Sequence, residues 1–498
     1  MPGDLPKKIV QRCVDELAYP VSMIFQKITS TAEYPKKWKI EHQIALPKCT
    51  PPSDLSDLRN IAKTSFFSKV YESYIAEWIM AYVKPYLDPN QCGVKGSSII
   101  HYLVKFLHFI HETLDSRRPQ AVIAACIDLS KAFNRVDHSI VIQDLFDMHS
   151  PPWLLKIVYS YLSGRSMQLT FKGACSGSKT LPGGTPQGAL LGGLIFVIKF
   201  NGALMRPSIP RNPSLPPSES IKVKYMDDAS VAASVDLKSS LIIDPSSRPR
   251  PLTYEQRTGH MLPVDMNPLQ WFIHDIESFS ANNNMQLNKL KTKAMMFTRA
   301  KKWAFPLELT FDDGTNVETM SETTLLGVIV TNDLKWSKNT SFICLKARRK
   351  LWVIRRLMHL NLTQVELFDV YKKEVRSILV FAVPVWHSSI TKKQSSQIET
   401  VQKLAFKLIL GPAYSSYDSA CAIFQTQTLK QRRLEICKRF VLKNIKSQDH
   451  CLFTKVDNNP YLLRQRKGMI KEYMCNTATF QRSSLPFLSK LANEHTLY

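Results

Sequence analysis

The stretch Ile221–Val235, IKVKYMDDASVAASV, decides how the rest of the chain is read. Two apolar-rich runs, residues 221–225 and 229–235, are joined by Met226-Asp227-Asp228. Short apolar runs with a tight polar link between them predict a β-hairpin, here with an acidic tip. On both sides the sequence changes character. Arg206–Glu219 is rich in Pro and Ser, and Asp236–Pro268 contains DPSSRPRP and has no period. Proline removes backbone donors and blocks helix, so both stretches read as surface insertions.

Further upstream, Ala121–Ile127 (AVIAACI) is a short apolar run that ends at Asp128 and predicts a buried strand. Met167–Lys172 alternates as a strand does. Phe67, Val70, Tyr71, Tyr74, Ile75, Trp78, Ile79 and Tyr82 recur at helical spacing, as do Ile100, Leu103, Val104, Leu107 and Ile110. Both stripes are expected to be core faces of amphipathic helices. Beyond residue 340 the pattern is helical, with Leu351, Ile354, Leu357 and Met358 on one face and Arg348, Arg349, Arg355 and Arg356 nearby. Residues 413–498 are basic, with Lys430, Arg432, Arg433, Lys438 and Arg439 clustered, and helical near Leu429–Lys446. That cluster reads equally as a solvated face or as an RNA contact surface. The sum is an α+β catalytic body followed by a basic helical region.

Composition narrows the class. A chain of 498 residues can fill two or three domains, and 44% apolar content is that of a globular protein. No run of about 18 apolar residues is present and no basic lead enters an apolar segment, so neither a membrane span nor a secretory signal is expected. The ten cysteines are scattered without C-x-x-C spacing, which points to free thiols in a reducing compartment. A net charge of +25 attracts polyanions, nucleic acid foremost. The excess is spread along the chain and grows denser after residue 340, which favours an extended polyanion path over a membrane anchor.

Asp128 closes one strand, and Asp227 with Asp228 occupies a turn between two others. Either alone is an ordinary cap or turn residue. Together, carboxylates crowded at strand ends repel one another unless cations lie between them. Two Mg²⁺ ions about 3.5–4 Å apart can activate a 3′-hydroxyl and stabilise leaving pyrophosphate, which is the chemistry of a polymerase.

In order along the chain, the motifs resemble those of the reverse transcriptases of non-LTR (LINE-type) retrotransposons. They are WKIEHQIALPK (38–48), SDLRNIAKTSFFSKVYE (56–72), DPNQCGVKGSS (88–98), CIDLSKAFNRVDH (126–138), LPGGTPQGALLGGLIF (181–196), KYMDDAS (224–230), NNNMQLNKLKTKAMMF (282–297) and LLGVIVTNDLKW (325–336). The resemblance implies a right-hand polymerase fold, with fingers and palm in residues 1–340, a helical thumb in 341–412 and a basic C-terminal region in 413–498. It implies Asp128, Asp227 and Asp228 as catalytic ligands of two Mg²⁺ ions, with Mn²⁺ as a substitute. Lys48, Arg59, Phe133, Gln187, Gly188 and Lys291 would line the nucleotide site, with Phe133 filling the space of a ribose 2′-hydroxyl. The expected partners are an RNA template, a DNA primer or target and dNTPs, with no membrane and no obligate protein partner. It implies residence in the nucleus, with the cytoplasm as the alternative.

The chain departs from that pattern at several points. Asn134 stands where Asp is usual, Met226 where Ala is common, Asn60 and Ala62 replace Pro and Ser, and Gly192-Gly193 replaces Ser-Pro. Neither an apurinic-type endonuclease nor a ribonuclease H segment is recognisable. The first expectation is RNA-directed DNA synthesis; the second is an inactive remnant that binds RNA without polymerising.

Overall fold

The structure is a computed structural model that describes residues 4–48, 51–54, 58–117, 120–171, 173–204, 219–236, 268–299, 309–446, 452–454 and 470–495. The insertions expected at 206–219 and 236–268 lie almost wholly outside these residues. Strands β1 (Ile40–Pro47) and β2 (Leu58–Lys63) pair antiparallel, β3 (Gln120–Ile127) begins a second sheet, and β4 (Ser166–Phe171) returns to lie parallel to β1. The short β5 (Ala174–Cys175) and β6 (Lys179–Thr180) both pair with β4. Strands β7 (Ser220–Tyr225), β8 (Asp228–Asp236), β9 (Lys293–Thr298) and β10 (Glu318–Thr319) complete the second sheet in the order β10-β9-β3-β8-β7. β11 (Glu322–Leu325) and β12 (Val328–Thr331) form a separate hairpin.

β3 is central because it is apolar on both faces. Val122 and Ala124 enter one core with the helix Ile99–Leu114 and the C-terminal helices. Ile123, Ala125 and Ile127 enter another, with the helices Phe66–Val83, Pro152–Leu162, Leu190–Lys199 and Pro268–Asn282. A strand buried on both sides needs an unbroken apolar run, as AVIAACI is. The first of these cores runs on through Leu351, Val401, Cys437 and Leu488. The boundaries expected at 340 and 412 therefore fall inside one continuous apolar cluster.

The edge strand β7 is covered. Asn90–Cys92 runs beside it, with the Lys224 N–H donating to Asn90 O (3.0 Å) and the Cys92 N–H to Lys224 O (2.6 Å). Such cover removes the unpaired donors and acceptors of a sheet edge. At the far end of the hairpin from its turn, Ser234 N–H donates to Glu219 O (2.8 Å) and Glu219 N–H to Ser234 Oγ (2.9 Å). This clasp closes the hairpin just where both insertions attach.

Two helical expectations need correction. In Phe66–Val83 the buried face is Ser68, Tyr71, Glu72, Ile75, Ile79 and Val83, while Tyr74 and Tyr82 are exposed. The face is rotated because Glu72 and Ser68 are satisfied inside: Ser68 Oγ donates to Glu72 Oε1 (3.0 Å) and the Leu191 N–H to Oε2 (3.3 Å). In Leu429–Lys446, Arg433 is fully buried rather than solvated, donating to Ser395 Oγ (2.5 Å) and lying 3.9 Å from Glu399.

Candidate active site

The sheet register builds the acidic centre. The last pair of β3 and β8 is Ile127 with Ala229, so one residue further on Asp128 comes across from Asp228. β7 and β8 end in the pair Tyr225–Asp228, which leaves Met226 and Asp227 as the turn. Met226 takes φ 55°, a conformation few side chains adopt. Gln91 holds it there: its Oε1 accepts from Met226 N–H (3.2 Å) and Gly93 N–H (2.8 Å). A Cβ on Gly93 would lie 2.7 Å from Met226 N, so only glycine lets this segment approach.

The Asp128 backbone is clamped by residues 286–292. Its N–H donates to Thr292 Oγ1 (3.3 Å), its carbonyl accepts from Asn288 N–H (2.8 Å), and Ser130 N–H donates to Gln286 O (2.7 Å). Both main-chain groups are used, which fixes where the carboxylate leaves the strand. Lys291 Nζ lies 4.0 Å from Asp128 Oδ2, while Lys289 pairs with Glu277 (3.2 Å) and Asp313 (2.8 Å) and Lys293 pairs with Glu318. The run of three lysines thus divides: its outer members are tied to other carboxylates and the middle one faces Asp128.

The glycine loop joins the two sheets at this point. Gln187 O accepts from Ala62 N–H on β2 (2.9 Å), and a Cβ on Gly188, which sits at φ 110°, would lie 3.3 Å from the Ala62 carbonyl oxygen. On its other side Thr185 N–H donates to Phe133 O (2.9 Å) and Gly184 N–H to Val136 O (2.8 Å). Phe133 stacks on Phe196 (4.8 Å between centroids) and stays half-buried, with one side against the core. Arg59 on β2 is close enough to Asp227 to oppose the rise of its pKa. Lys48 is exposed just past the end of β1, at the same hairpin end as Arg59.

The helix Leu190–Lys199 that follows the loop has no side-chain cap of its own. Glu72 supplies one from the neighbouring helix through the Leu191 N–H. Gly192 answers the departure noted in the sequence: a Cβ there would lie 2.5 Å from Pro186 O and 2.9 Å from Thr185 Oγ1. Gly192→Ala gains about 1 kcal/mol of helix propensity but meets backbone that cannot move aside. The clash, about 1–3 kcal/mol and here at the upper end, wins. A fall of roughly 1–2 kcal/mol in unfolding free energy is expected from denaturant melts; a gain would refute the packing argument.

Four residues that hold the site were not foreseen: Gln91, Glu72, Thr292 and Lys224. Lys224 is wholly buried, donating to Asn201 O and Ala203 O (2.8 Å each) and paired with Asp88 (2.8 Å). Burial lowers its pKa and Asp88 opposes the fall.

Electrostatics follow from the crowding. Burial, then Asp227 and Asp128, push the Asp228 carboxyl up to about 6; burial and then Asp128 raise Asp227. The donor set is oxygen only, which suits Mg²⁺ or Mn²⁺. Among the described residues, the group whose ligand atoms all lie within 4.8 Å of one another is instead the exposed His274 and Asp312 with the half-buried Glu277. The three aspartates are adjacent without being drawn so close. A folded-state pKa above the ordinary 3.8 means that the native chain holds the proton more tightly than the unfolded one. The contribution of Asp228 to the stability of the metal-free protein therefore falls as pH rises from about 4 to about 6, and that penalty is complete at neutral pH. Mg²⁺ should raise the melting temperature more at pH 7 than at pH 5, where protons compete. Equal shifts at both pH values would mean that other groups bind the ion.

Comparison with known proteins bears on this arrangement. The family model described as reverse transcriptase (RNA-dependent DNA polymerase) matches residues 46–330. The chain is 22% identical over 435 residues to the probable RNA-directed DNA polymerase from transposon X-element of Drosophila melanogaster, covering 84% of this chain and 42% of that one. It is 22% identical over 404 residues to the corresponding protein from transposon BS of the same fly, covering 79% and 41%. The chain thus spans less than half the length of these relatives. Apo telomerase from Candida tropicalis aligns with a TM-score of 0.42 at 10% identity, over 86% of this chain and 67% of that one, a likeness too loose to argue from.

Proposed function

Since the chain belongs to the reverse transcriptase (RNA-dependent DNA polymerase) family, with the non-LTR transposon type and right-hand polymerase fold that its motifs led one to expect, we propose that it extends a primer 3′-hydroxyl with dNTPs on an RNA template. The observation that carries this reading is the register bringing Asp128 across from Asp228, beside the Asp227 turn. These three carboxylates would hold two divalent ions, Mg²⁺ first, which when bound neutralise the triphosphate and activate the hydroxyl. Arg59 and Lys291 add positive charge on either side of the acidic centre. Gln187 and Gly188 line the nucleotide's approach, Lys48 lies toward its triphosphate, and the half-buried Phe133 limits the room at the sugar.

The duplex would lie on the helix Ser337–Met358. Its exposed face carries Phe342, Lys346, Arg349, Trp352 and Arg356 at helical spacing, with Lys346 over Phe342 and Arg356 over Trp352. Cations interleaved with aromatics suit phosphates and bases without reading sequence. This helix would open the thumb, with fingers and palm before it.

The test is extension of a DNA primer on poly-rA with Mg²⁺ and again with EDTA. Extension that needs the ion supports the proposal. Tight RNA binding with no extension in any metal would overturn it in favour of a remnant that only binds RNA.

A further inference from the structure

A cavity of about 560 Å³ lies between the helical turn Tyr371–Arg376, the turn Phe424–Gln427 and the helix Leu429–Lys446. Four cations line it, Lys372, Arg376, Arg432 and Arg439, against one carboxylate, Glu435. That carboxylate is already taken by Arg439 Nε (2.9 Å), and Lys372 is paired with Asp369. Among the described residues neither Arg376 nor Arg432 has an ion pair. Arg376 has only a long contact to Thr426 Oγ1 (3.4 Å), and Arg432 Nε is buried with no hydrogen-bond partner.

Two guanidinium groups lining one cavity without a counterion are costly. Burial, then the charge of Arg432, pulls the Arg376 pKa down. Phe368 and Phe424, stacked at 4.4 Å, form an apolar wall that keeps water from one side. An anion placed between the two arginines would relieve both costs. Two planar guanidinium forks can together grip the several oxygens of one phosphate. The stretch Tyr371–Arg376 is a turn of π-helix, a local irregularity common where helices carry function.

We propose that this pocket is a phosphate-binding site that grips the sugar–phosphate backbone of a nucleic-acid strand through Arg376 and Arg432. The strand, rather than a free anion, follows from the nucleic-acid reading above, on which the proposal rests for that point alone. The unpaired arginines themselves do not depend on it. The site also resolves the two readings left open for the basic cluster at 430–439: Arg433 is a structural residue, while Arg432 and Arg439 face the cavity.

Binding of the full chain to a labelled RNA–DNA hybrid, without dNTP or added metal, separates this proposal from polymerase activity. A protein that binds but does not extend would count against the proposed function and leave the pocket standing. The double variant Arg376→Gln/Arg432→Gln is compared with Lys392→Gln/Lys393→Gln, which removes the same charge from exposed positions. The pocket variant should bind about tenfold more weakly than the control, with a salt slope shallower by about one. Its melting temperature should equal or exceed that of the unsubstituted protein, because two repelling charges are gone. The single variant Arg432→Gln should show the same direction if the double variant proves unstable. Equal affinity and equal salt slope for pocket variant and control would overturn the proposal. So would inorganic phosphate raising the melting temperature through Arg376 and Arg432 while hybrid binding stays unchanged, since the ligand would then be a free anion.

Discussion

Asp227→Asn is expected to cut primer extension by about a thousandfold or more, the scale on which charge neutralisation acts in phosphoryl transfer, while RNA binding stays nearly intact. Asn keeps the size and turn-forming habit of Asp but loses the charge and one strong acceptor. Met226 N–H will still be held by Gln91, so the turn should keep its shape. Asp128→Asn and Asp228→Asn should act alike. Removing one charge from a crowded trio also relieves repulsion, so each variant should melt slightly higher than the parent in EDTA and gain less from added Mg²⁺. Loss of activity with a gain in metal-free stability is the signature of a charge kept for chemistry. Normal extension by the Asp227→Asn protein would remove the basis of the functional reading.

The second large effect concerns the choice of sugar. Phe133→Val should raise incorporation of ribonucleotides relative to deoxynucleotides by about 5- to 150-fold, the range covered by about 1–3 kcal/mol of steric exclusion. Phe133 leans on Phe196 with one face, and its backbone carbonyl anchors the glycine loop through Thr185. Substitution by Val keeps that backbone contact and shortens only the ring. Some stability should be lost as the stacking with Phe196 disappears, so the ratio of the two substrates, not the absolute rate, is the useful readout. An unchanged ratio would make Phe133 a plain core residue.

Much of this centre could be read directly from the residues because its parts are local. The hairpin announces itself by two apolar runs and a turn, and β3 by a run that stays apolar on both faces. What could not be read depends on partners far away in the chain. Lys224 alternates with Lys222 as a solvent-facing residue would, yet it is buried because Asp88, Asn201 and Ala203 close over it. Glu72 interrupts an apolar stripe and looks like surface, yet it caps a helix some 119 residues later. Gly192 looks like the loss of a family residue, and only the approach of Pro186 O shows why no side chain fits. The anion pocket is of the same kind: Arg376 and Arg432 become neighbours through packing, and neither stands out in a chain with 66 basic residues.

The clasp between Glu219 and Ser234 has a consequence for how such a protein can change. It seals the hairpin at the end opposite its acidic turn, so extra length entering there is mechanically isolated from the chemistry. Evolution could lengthen or rewrite these segments at little risk to the acidic centre. A laboratory could use the same port to splice in a reporter or a targeting module.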